Sequence, residues 1–194
     1  MSRKRILVLD GHPAETSISR QLATAYVDGA RNKGHEVRIL HLKGMEFDPD
    51  YGFGGYKNQK PLEPPLEEFL QSLEWCEHFV VTAPMWWGGL PAKLKGLIDR
   101  TFLPGRTFDT RTKGLPKPLL SGRTAQVILT SDSPWWYFRF LLHRPLFWQL
   151  KRQILGFVGF KPVQIVHFTG ASHPTAKQID TWTARARNLG AGLA

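Results

Sequence analysis

Residues 80–102 read VVTAPMWWGGLPAKLKGLIDRTF, and this stretch carries the strongest signal for the fold. An apolar run from Phe79 predicts a buried strand. Two tryptophans and two glycines follow, and a helical pattern begins near Pro91, where proline is favoured in a first helical turn. A strand, a loop and a helix in this order place ligands at the carboxyl end of the strand in α/β proteins. The flat side chains of Trp86 and Trp87 suit a planar aromatic ligand, and capping of the core or a subunit contact is the alternative.

The rest of the chain repeats this alternation of strands and helices. Short apolar runs predict five strands, at 6–9, 37–42, 79–83, 125–130 and 163–168. Amphipathic stretches predict helices at 17–33, 63–74, 91–102, 135–158 with a break at Pro145, and 175–189. Residues 43–62 read as a long loop. The pattern predicts one α/β domain over 1–194, a doubly wound five-stranded parallel sheet with helices on both faces.

Charge is distributed unevenly along the 194 residues. The formal net charge is +10, but residues 1–100 hold equal numbers of basic and acidic side chains. The excess therefore lies in residues 101–194, where Asp109, Asp132 and Asp180 are the only acids. Such a surface attracts phosphorylated cofactors, nucleic acid or an acidic membrane face. Because no nucleic-acid-binding motif accompanies the charge, we do not expect a nucleic-acid partner.

Cysteine and histidine usage narrows the chemistry. The single cysteine, Cys76, cannot form an internal disulfide, which favours a reducing, cytoplasmic compartment. Cys76 stands just before an apolar strand and is expected to be a small buried residue. The seven histidines lack the spacing of metal ligands, so no metal site is expected. No apolar run is long enough for a signal peptide or a membrane span.

The loop after the first strand suits a phosphate group. It lacks the G-x-G-x-x-G pattern of dinucleotide-binding folds. Thr16, Ser17 and Ser19 instead place hydroxyl groups beside the N–H groups of a helix N-terminus, which bind phosphate, and His12 adds a donor. Plain helix capping by Thr16 or Ser17 is the alternative.

The loop after the fourth strand is polar and then aromatic. It begins with Thr130, Ser131, Asp132 and Ser133 and continues into two further tryptophans. Because the carboxyl ends of parallel strands meet at one edge of a sheet, three loops converge on one crevice. They offer groups for a phosphate, a ring face and a ring edge, and this combination predicts a flavin site.

These motifs resemble the flavodoxin-like NAD(P)H:quinone oxidoreductases, a family that includes DT-diaphorase and small bacterial quinone reductases. The resemblance covers most of the chain and rests on residues 83–102, on the loop at 12–17, and on ILGFVGF at 154–160. It implies a flavodoxin-like fold, a non-covalent FAD or FMN, and a homodimer with the flavin at the subunit interface. It also implies hydride transfer from NADH or NADPH to the flavin and then to a quinone or a similar flat acceptor.

The resemblance also assigns cofactor-binding residues to the three loops. The phosphate loop holds His12, Thr16, Ser17 and Ser19; the ring loop holds Pro84, Met85, Trp86, Trp87 and Gly88; the third loop holds Thr130, Ser131, Asp132 and Ser133. The third loop usually reads Thr-Thr-Gly-Gly in the family. Here both glycines are replaced, so the backbone contact with the ring must differ, and Asp132 adds a negative charge.

A proton relay of the family consists of a tyrosine and a histidine six residues apart after that loop. Tyr137 and His143 have this separation and are the catalytic residues that the resemblance implies. Histidine suits proton transfer because its pKa lies near neutrality. A chance spacing is the alternative in a chain this rich in aromatic residues and histidine.

Residues 135–160 combine many aromatic side chains with basic ones. We interpret the segment as part dimer interface and part roof over the flavin, with peripheral docking to a membrane as the alternative. Two other functions share the fold and the flavin: a regulatory subunit similar to those of potassium efflux systems, and an azo, nitro or flavin reductase.

Overall fold

The computed structural model describes residues 3–52, 59–110 and 114–193. Its centre is a parallel sheet of five strands, as predicted. The strands are β1 Arg5–Asp10, β2 Glu36–His41, β3 His78–Pro84, β4 Thr124–Ser131 and β5 Val163–Thr169. They lie side by side in the order β2-β1-β3-β4-β5. The central strand β3 is buried along its whole length, and the edge strands β2 and β5 are partly exposed. This gradient explains why the inner strands read as continuous apolar runs.

Helices cover both faces of the sheet. On one face lie α1, Ile18–Asn32, and α4, Ala176–Ala191. The other face carries α2, Pro64–Trp75, α3, Ala92–Thr101, and the helical residues between 137 and 158. The helices α1 and α4 cross at very short range. A Cβ atom on Gly29 would lie 1.9 Å from the Arg187 carbonyl oxygen, so only glycine fits there.

Local sequence signals set the ends of these helices. The Ser17 hydroxyl caps α1 by accepting a hydrogen bond from the Arg20 N–H at 3.0 Å. Thr175 begins α4 with a capping box that includes Gln178. The predicted break at Pro145 is confirmed, since a new helical turn begins there after a left-handed Arg144.

The long loop predicted at 43–62 is anchored to the core through a buried arginine, and its residues 53–58 lie outside the described part of the chain. The Arg100 guanidinium donates to the Pro61 carbonyl at 2.9 Å and to the Glu63 carboxylate at 2.8 Å. It also donates to the Asp48 carbonyl. Cys76 is buried as expected, and burial raises the pKa of its thiol to about 12. Among the described residues, no helix is long and apolar enough to span a membrane.

Candidate functional site

The carboxyl ends of β1, β3 and β4 surround a cavity of about 220 Å³. It lies between β1 and β3, where the strand order of a flavodoxin-type sheet reverses and ligands bind. Ten of the predicted cofactor-binding residues line it: His12, Thr16, Ser17, Ser19, Pro84, Met85, Trp86, Thr130, Ser131 and Asp132. The three loops singled out in the sequence therefore do converge on one crevice.

The phosphate-loop side of the cavity has unused hydrogen-bonding capacity. Ser19 is buried, lines the cavity, and its hydroxyl has no hydrogen-bond partner among the described residues. An unpaired buried hydroxyl is costly, on the order of 1–3 kcal/mol, unless a ligand satisfies it. The N–H groups of Ile18 and Ser19 lie in the first turn of α1 and have no partner within the helix. Donors of this kind fit an anionic group such as a flavin phosphate.

His12 faces the same cavity as a neutral donor. Its Nδ1 accepts a hydrogen bond from the Ala14 N–H at 2.9 Å, so the neutral ring carries its proton on Nε2. Burial lowers the pKa of His12, and the nearby Asp10 carboxylate opposes that shift. The ring packs edge-on against Trp86, with 5.6 Å between the centroids.

Asp10 is a site residue that the sequence reasoning missed. It is fully buried at the end of β1, and its carboxylate accepts the His12 N–H at 3.3 Å. The other carboxylate oxygen lies 3.1 Å from Nδ1 of His41, at the end of β2. This pairing fixes the start of the phosphate loop. The sequence feature that could have identified Asp10 is an acidic residue at the carboxyl end of an apolar strand.

The two tryptophans of the ring loop take different positions. Trp86 and Gly89 exchange two backbone hydrogen bonds, of 3.0 and 2.9 Å, across a tight turn. Trp87 and Gly88 form its centre with φ angles of 51° and 76°, the conformation of a type I′ turn. As a result Trp86 lines the cavity, whereas Trp87 projects fully into solvent. A positive φ is strained for a bulky residue, and such strain is concentrated at functional sites.

The third loop is tied to the loop after β5. The Asp132 carboxylate accepts the Ser172 N–H at 2.7 Å and also the Ser172 hydroxyl, and these bonds lower the pKa of Asp132. Ser172 and Ala171 thereby join the cavity lining, which sequence reasoning did not foresee. Ser133 and Gly88 lie outside that lining. The negative charge expected at Asp132 is thus present but already hydrogen-bonded.

A further histidine contacts this loop from the edge strand. Nε2 of His167, on β5, lies 2.7 Å from the Ser131 hydroxyl oxygen. Partial burial lowers the pKa of His167, which keeps the ring neutral at physiological pH. Its ring packs against Phe138 and Phe147, at 5.3 and 5.6 Å between centroids. His167 therefore orients a hydroxyl group that lines the cavity.

The predicted relay residues lie apart from the cavity lining. Tyr137 begins a π-helical turn and contacts Trp136. His143 is exposed and has a left-handed backbone, with φ of 53°. Neither lines the cavity, so their role stays a prediction.

The positive charge that is in excess in the second half of the chain does not extend to the described lining of the cavity. No lysine or arginine occurs among the described residues of its lining, so these would hold an anion through N–H and hydroxyl dipoles. Within the described ranges, no group of three or more His, Cys, Asp or Glu residues is arranged to hold a metal ion.

Comparison with known proteins identifies the family. A family profile described as having a flavodoxin-like fold matches residues 4–189. The chain belongs to this flavodoxin-like family. Two relatives of this flavodoxin-like protein carry informative names. NAD(P)H dehydrogenase (quinone) 1 of Rattus norvegicus is 26% identical, covering 95% of this chain and 77% of its own. The FMN-dependent NADH:quinone oxidoreductase of Acidobacterium capsulatum is 27% identical, covering 90% of each chain.

Similarity to solved structures supports the flavodoxin-like fold of the family. Smu.1420 from Streptococcus mutans UA159 superposes with a TM-score of 0.82 at 25% identity, covering 97% of this chain and 99% of the other. The NAD(P)H:quinone oxidoreductase from Methanothermobacter marburgensis gives a TM-score of 0.82 at 21% identity, covering 98% and 96%. The similarity to the Methanothermobacter marburgensis structure shows that the two proteins share a fold.

Proposed function

We propose that this flavodoxin-like protein is a flavin-dependent NAD(P)H oxidoreductase. It transfers hydride from NADH or NADPH to a non-covalent flavin and then to a quinone or a similar flat acceptor. The observation that carries the proposal is the unpaired, buried Ser19 hydroxyl at a helix N-terminus, in the same cavity as the aromatic wall of Trp86. The names of the relatives from Rattus norvegicus and Acidobacterium capsulatum support the same activity.

The residues of this chain would bind and orient the flavin, which supplies the two-electron chemistry when bound. The hydroxyl groups of Thr16 and Ser19, with the N–H groups of the first turn of α1, would hold the phosphate. Pro84, Met85 and Trp86 would form an apolar wall for the ring. We favour FMN over FAD, because the relative from Acidobacterium capsulatum is named as FMN-dependent.

We further propose a cytoplasmic homodimer in which the partner subunit covers the ring loop. The cavity is smaller than the range of about 300–1,000 Å³ that encloses drug-sized ligands, so it would leave part of a flavin open to its surroundings. Trp87 lies in the turn beside the cavity, is fully exposed, and would be buried by a partner subunit. Sedimentation velocity would test this, since Trp87→Asp should shift a dimer toward the monomer. A wild-type monomer at all protein concentrations would contradict the dimer.

One experiment tests the activity directly. The purified protein is denatured, the released flavin is identified by chromatography, and oxidation of NADH and NADPH is measured with a panel of quinones and azo dyes. We expect a yellow protein that releases FMN and reduces quinones. A colourless protein that neither binds added FMN or FAD nor oxidises NAD(P)H would overturn the proposal. Azo dyes belong in the panel because solved structures of azoreductases share the fold.

A further inference from the structure

One surface of the protein is both aromatic and basic, and the fold does not account for it. Six large apolar side chains between residues 135 and 148 are 40–59% exposed. We call this set, together with the four neighbouring cations, the aromatic-basic surface: Trp135, Trp136, Phe140, Leu141, Leu142 and Trp148, with Arg139, Arg144, Lys151 and Arg152. Exposed apolar clusters of this kind mark interaction sites in soluble proteins.

The same segment supplies a separate set of residues to the core. Phe138, Leu146 and Leu150 are buried, and the rings of Phe138 and Phe147 hold the two halves of the segment together at 5.1 Å between centroids. The inner side chains therefore suffice to pack the segment on the sheet. The tryptophans at 135, 136 and 148 are more than half exposed, so much of their surface is left uncovered by the core.

Acidic partners are missing around the cations of this surface in the part of the chain that the structure describes. No acidic residue occurs between Asp132 and Asp180 in the sequence. Within the described residues, none of the four cations forms an ion pair, whereas Lys95, Arg100 and Arg106 elsewhere each bind a carboxylate. Lys151 and Arg152 also line, with Lys161, a cavity of about 560 Å³, and no acidic side chain occurs among the described residues of that lining. This arrangement favours an anionic partner.

A second copy of the chain is a poor partner for this surface. In a two-fold symmetric dimer the same patch from each subunit would meet itself. Four cations would then face four cations, and like charges across an interface cost several kcal/mol. The proposed flavin cavity makes no use of these cations either, because none of the four is among the described residues that line it.

We propose that the aromatic-basic surface docks the protein onto the interface of an anionic phospholipid bilayer. Tryptophan is enriched at the level of lipid headgroups because its ring is apolar and its N–H group is polar. Basic side chains around an apolar patch are attracted to anionic lipids, and each contributes about 1 kcal/mol to membrane binding. Shallow insertion of the exposed aromatic side chains would bury the apolar area that the fold leaves open.

Docking would also place the flavin cavity close to the lipid phase. Trp135 follows Asp132, which lines the cavity, by three residues. Quinones with apolar tails dissolve in membranes, so the surface would bring the site to its acceptor. This consequence rests on the proposed function, whereas docking itself does not.

The test is co-sedimentation of the purified full chain with vesicles of phosphatidylcholine alone or of phosphatidylcholine with phosphatidylglycerol at 3:1. We expect binding to the anionic vesicles that weakens as salt increases, and a blue shift of tryptophan fluorescence. The triple variant Arg144→Glu, Lys151→Glu, Arg152→Glu should lower the partition coefficient on the order of a hundredfold. The triple variant Trp135→Ser, Trp136→Ser, Trp148→Ser should abolish the blue shift.

A matched control separates this surface from net charge. Lys33→Glu, Lys117→Glu and Lys177→Glu make the same charge change at exposed lysines outside the surface. Equal loss of binding in both charge variants, or no vesicle binding by the wild type, would overturn the proposal. A dimer that dissociates in the tryptophan variant without vesicle binding would show that a second copy covers the surface. Flavin content and NAD(P)H oxidation, measured on the same samples, report separately on the proposed function.

Discussion

Ser19 is buried at the start of α1, where its hydroxyl has no hydrogen-bond partner among the described residues. A chain that folds around an unpaired hydroxyl loses stability, and the loss is recovered when a ligand supplies the partner. The sequence indicated Ser19 only as one of several hydroxyl groups near a helix start. The hydroxyl of Ser17, two residues earlier, is already used within the helix, because Ser17 is the capping residue of α1.

Ser19→Ala should weaken flavin binding. A hydrogen bond to a charged phosphate contributes about 1.5–3 kcal/mol, so we expect Kd to rise on the order of tenfold or more. Fluorescence titration of the apoprotein with FMN measures the change. Thr82→Val is the matched control, because Thr82 also holds a buried unpaired hydroxyl but does not line the cavity. An equal effect of both variants on Kd would contradict the role of Ser19.

Trp87 combines a strained backbone with a fully exposed ring. Trp87→Gly should therefore leave thermal stability of the apoprotein unchanged or raise it, because glycine adopts a positive φ without strain. At the same time we expect lower flavin occupancy after purification. Melting temperature and the flavin-to-protein absorbance ratio test both parts, with Trp148→Gly as an exposed tryptophan outside the ring loop. If Trp87→Gly retained its full flavin content, Trp87 would have no role in flavin binding and would be only a packing or surface residue.

At the level of elements, the edge strand β5 contributes more contacts to the cavity than its sequence indicated. His167 reaches from β5 to Ser131 on β4, and Asp132 reaches from the end of β4 to Ser172. These contacts connect the ends of two adjacent strands at the carboxyl edge of the sheet. Four strands, β1, β3, β4 and β5, therefore contribute to the cavity. The predicted relay histidine, His143, lies instead in an exposed turn before Pro145.

The two histidines can be separated experimentally. His167→Ala should raise the Kd for FMN by about fivefold, since it removes one neutral hydrogen bond of about 1 kcal/mol that orients Ser131. His143→Ala should leave flavin affinity unchanged and lower quinone turnover by about a hundredfold, a usual size for general acid–base catalysis. Flavin titration and steady-state kinetics across pH distinguish the variants. Unchanged quinone turnover in His143→Ala would remove the relay.

At the scale of the whole molecule, the edge of the sheet opposite the candidate cavity contains a buried histidine. His78 binds the Tyr26 hydroxyl at 3.0 Å and the Thr124 hydroxyl at 2.6 Å. Burial, together with Lys4 and His35, lowers the pKa of His78 to about 4 from its usual 6.5. The unfolded chain therefore binds an extra proton between these two pH values. This contribution to stability is complete above pH 6.5 and is lost as the pH falls toward 4.

His78→Gln should consequently flatten the pH dependence of folding. We expect the free energy of unfolding of the wild type to fall between about pH 7 and about pH 4.5 more steeply than that of the variant. Urea denaturation at several pH values measures both slopes. The exposed His143→Gln variant should follow the wild type. Parallel slopes for the wild type and His78→Gln would contradict the role of His78.

Much of the architecture follows from the sequence for local reasons. A strand buried on both faces must be an unbroken apolar run, so the run at 79–81 identified β3. The capping residues Ser17 and Thr175 and the break at Pro145 act within one turn of their own helices, so they too are visible locally. Since parallel strands end at one edge, the order of strands and loops along the chain was enough to assign the three candidate loops to one crevice.

Only the tertiary structure decided which side chains of those loops face the cavity. Trp86 and Trp87 are chemically identical neighbours, and the positive φ of Trp87 directs one inward and the other into solvent. The Asp132–Ser172 and Ser131–His167 contacts join residues 40 and 36 positions apart. Periodicity and capping report interactions within a few residues, whereas these contacts depend on how two strands lie side by side. The sequence alone therefore determined the sheet and the place of the site, and strand packing determined the groups that the site presents.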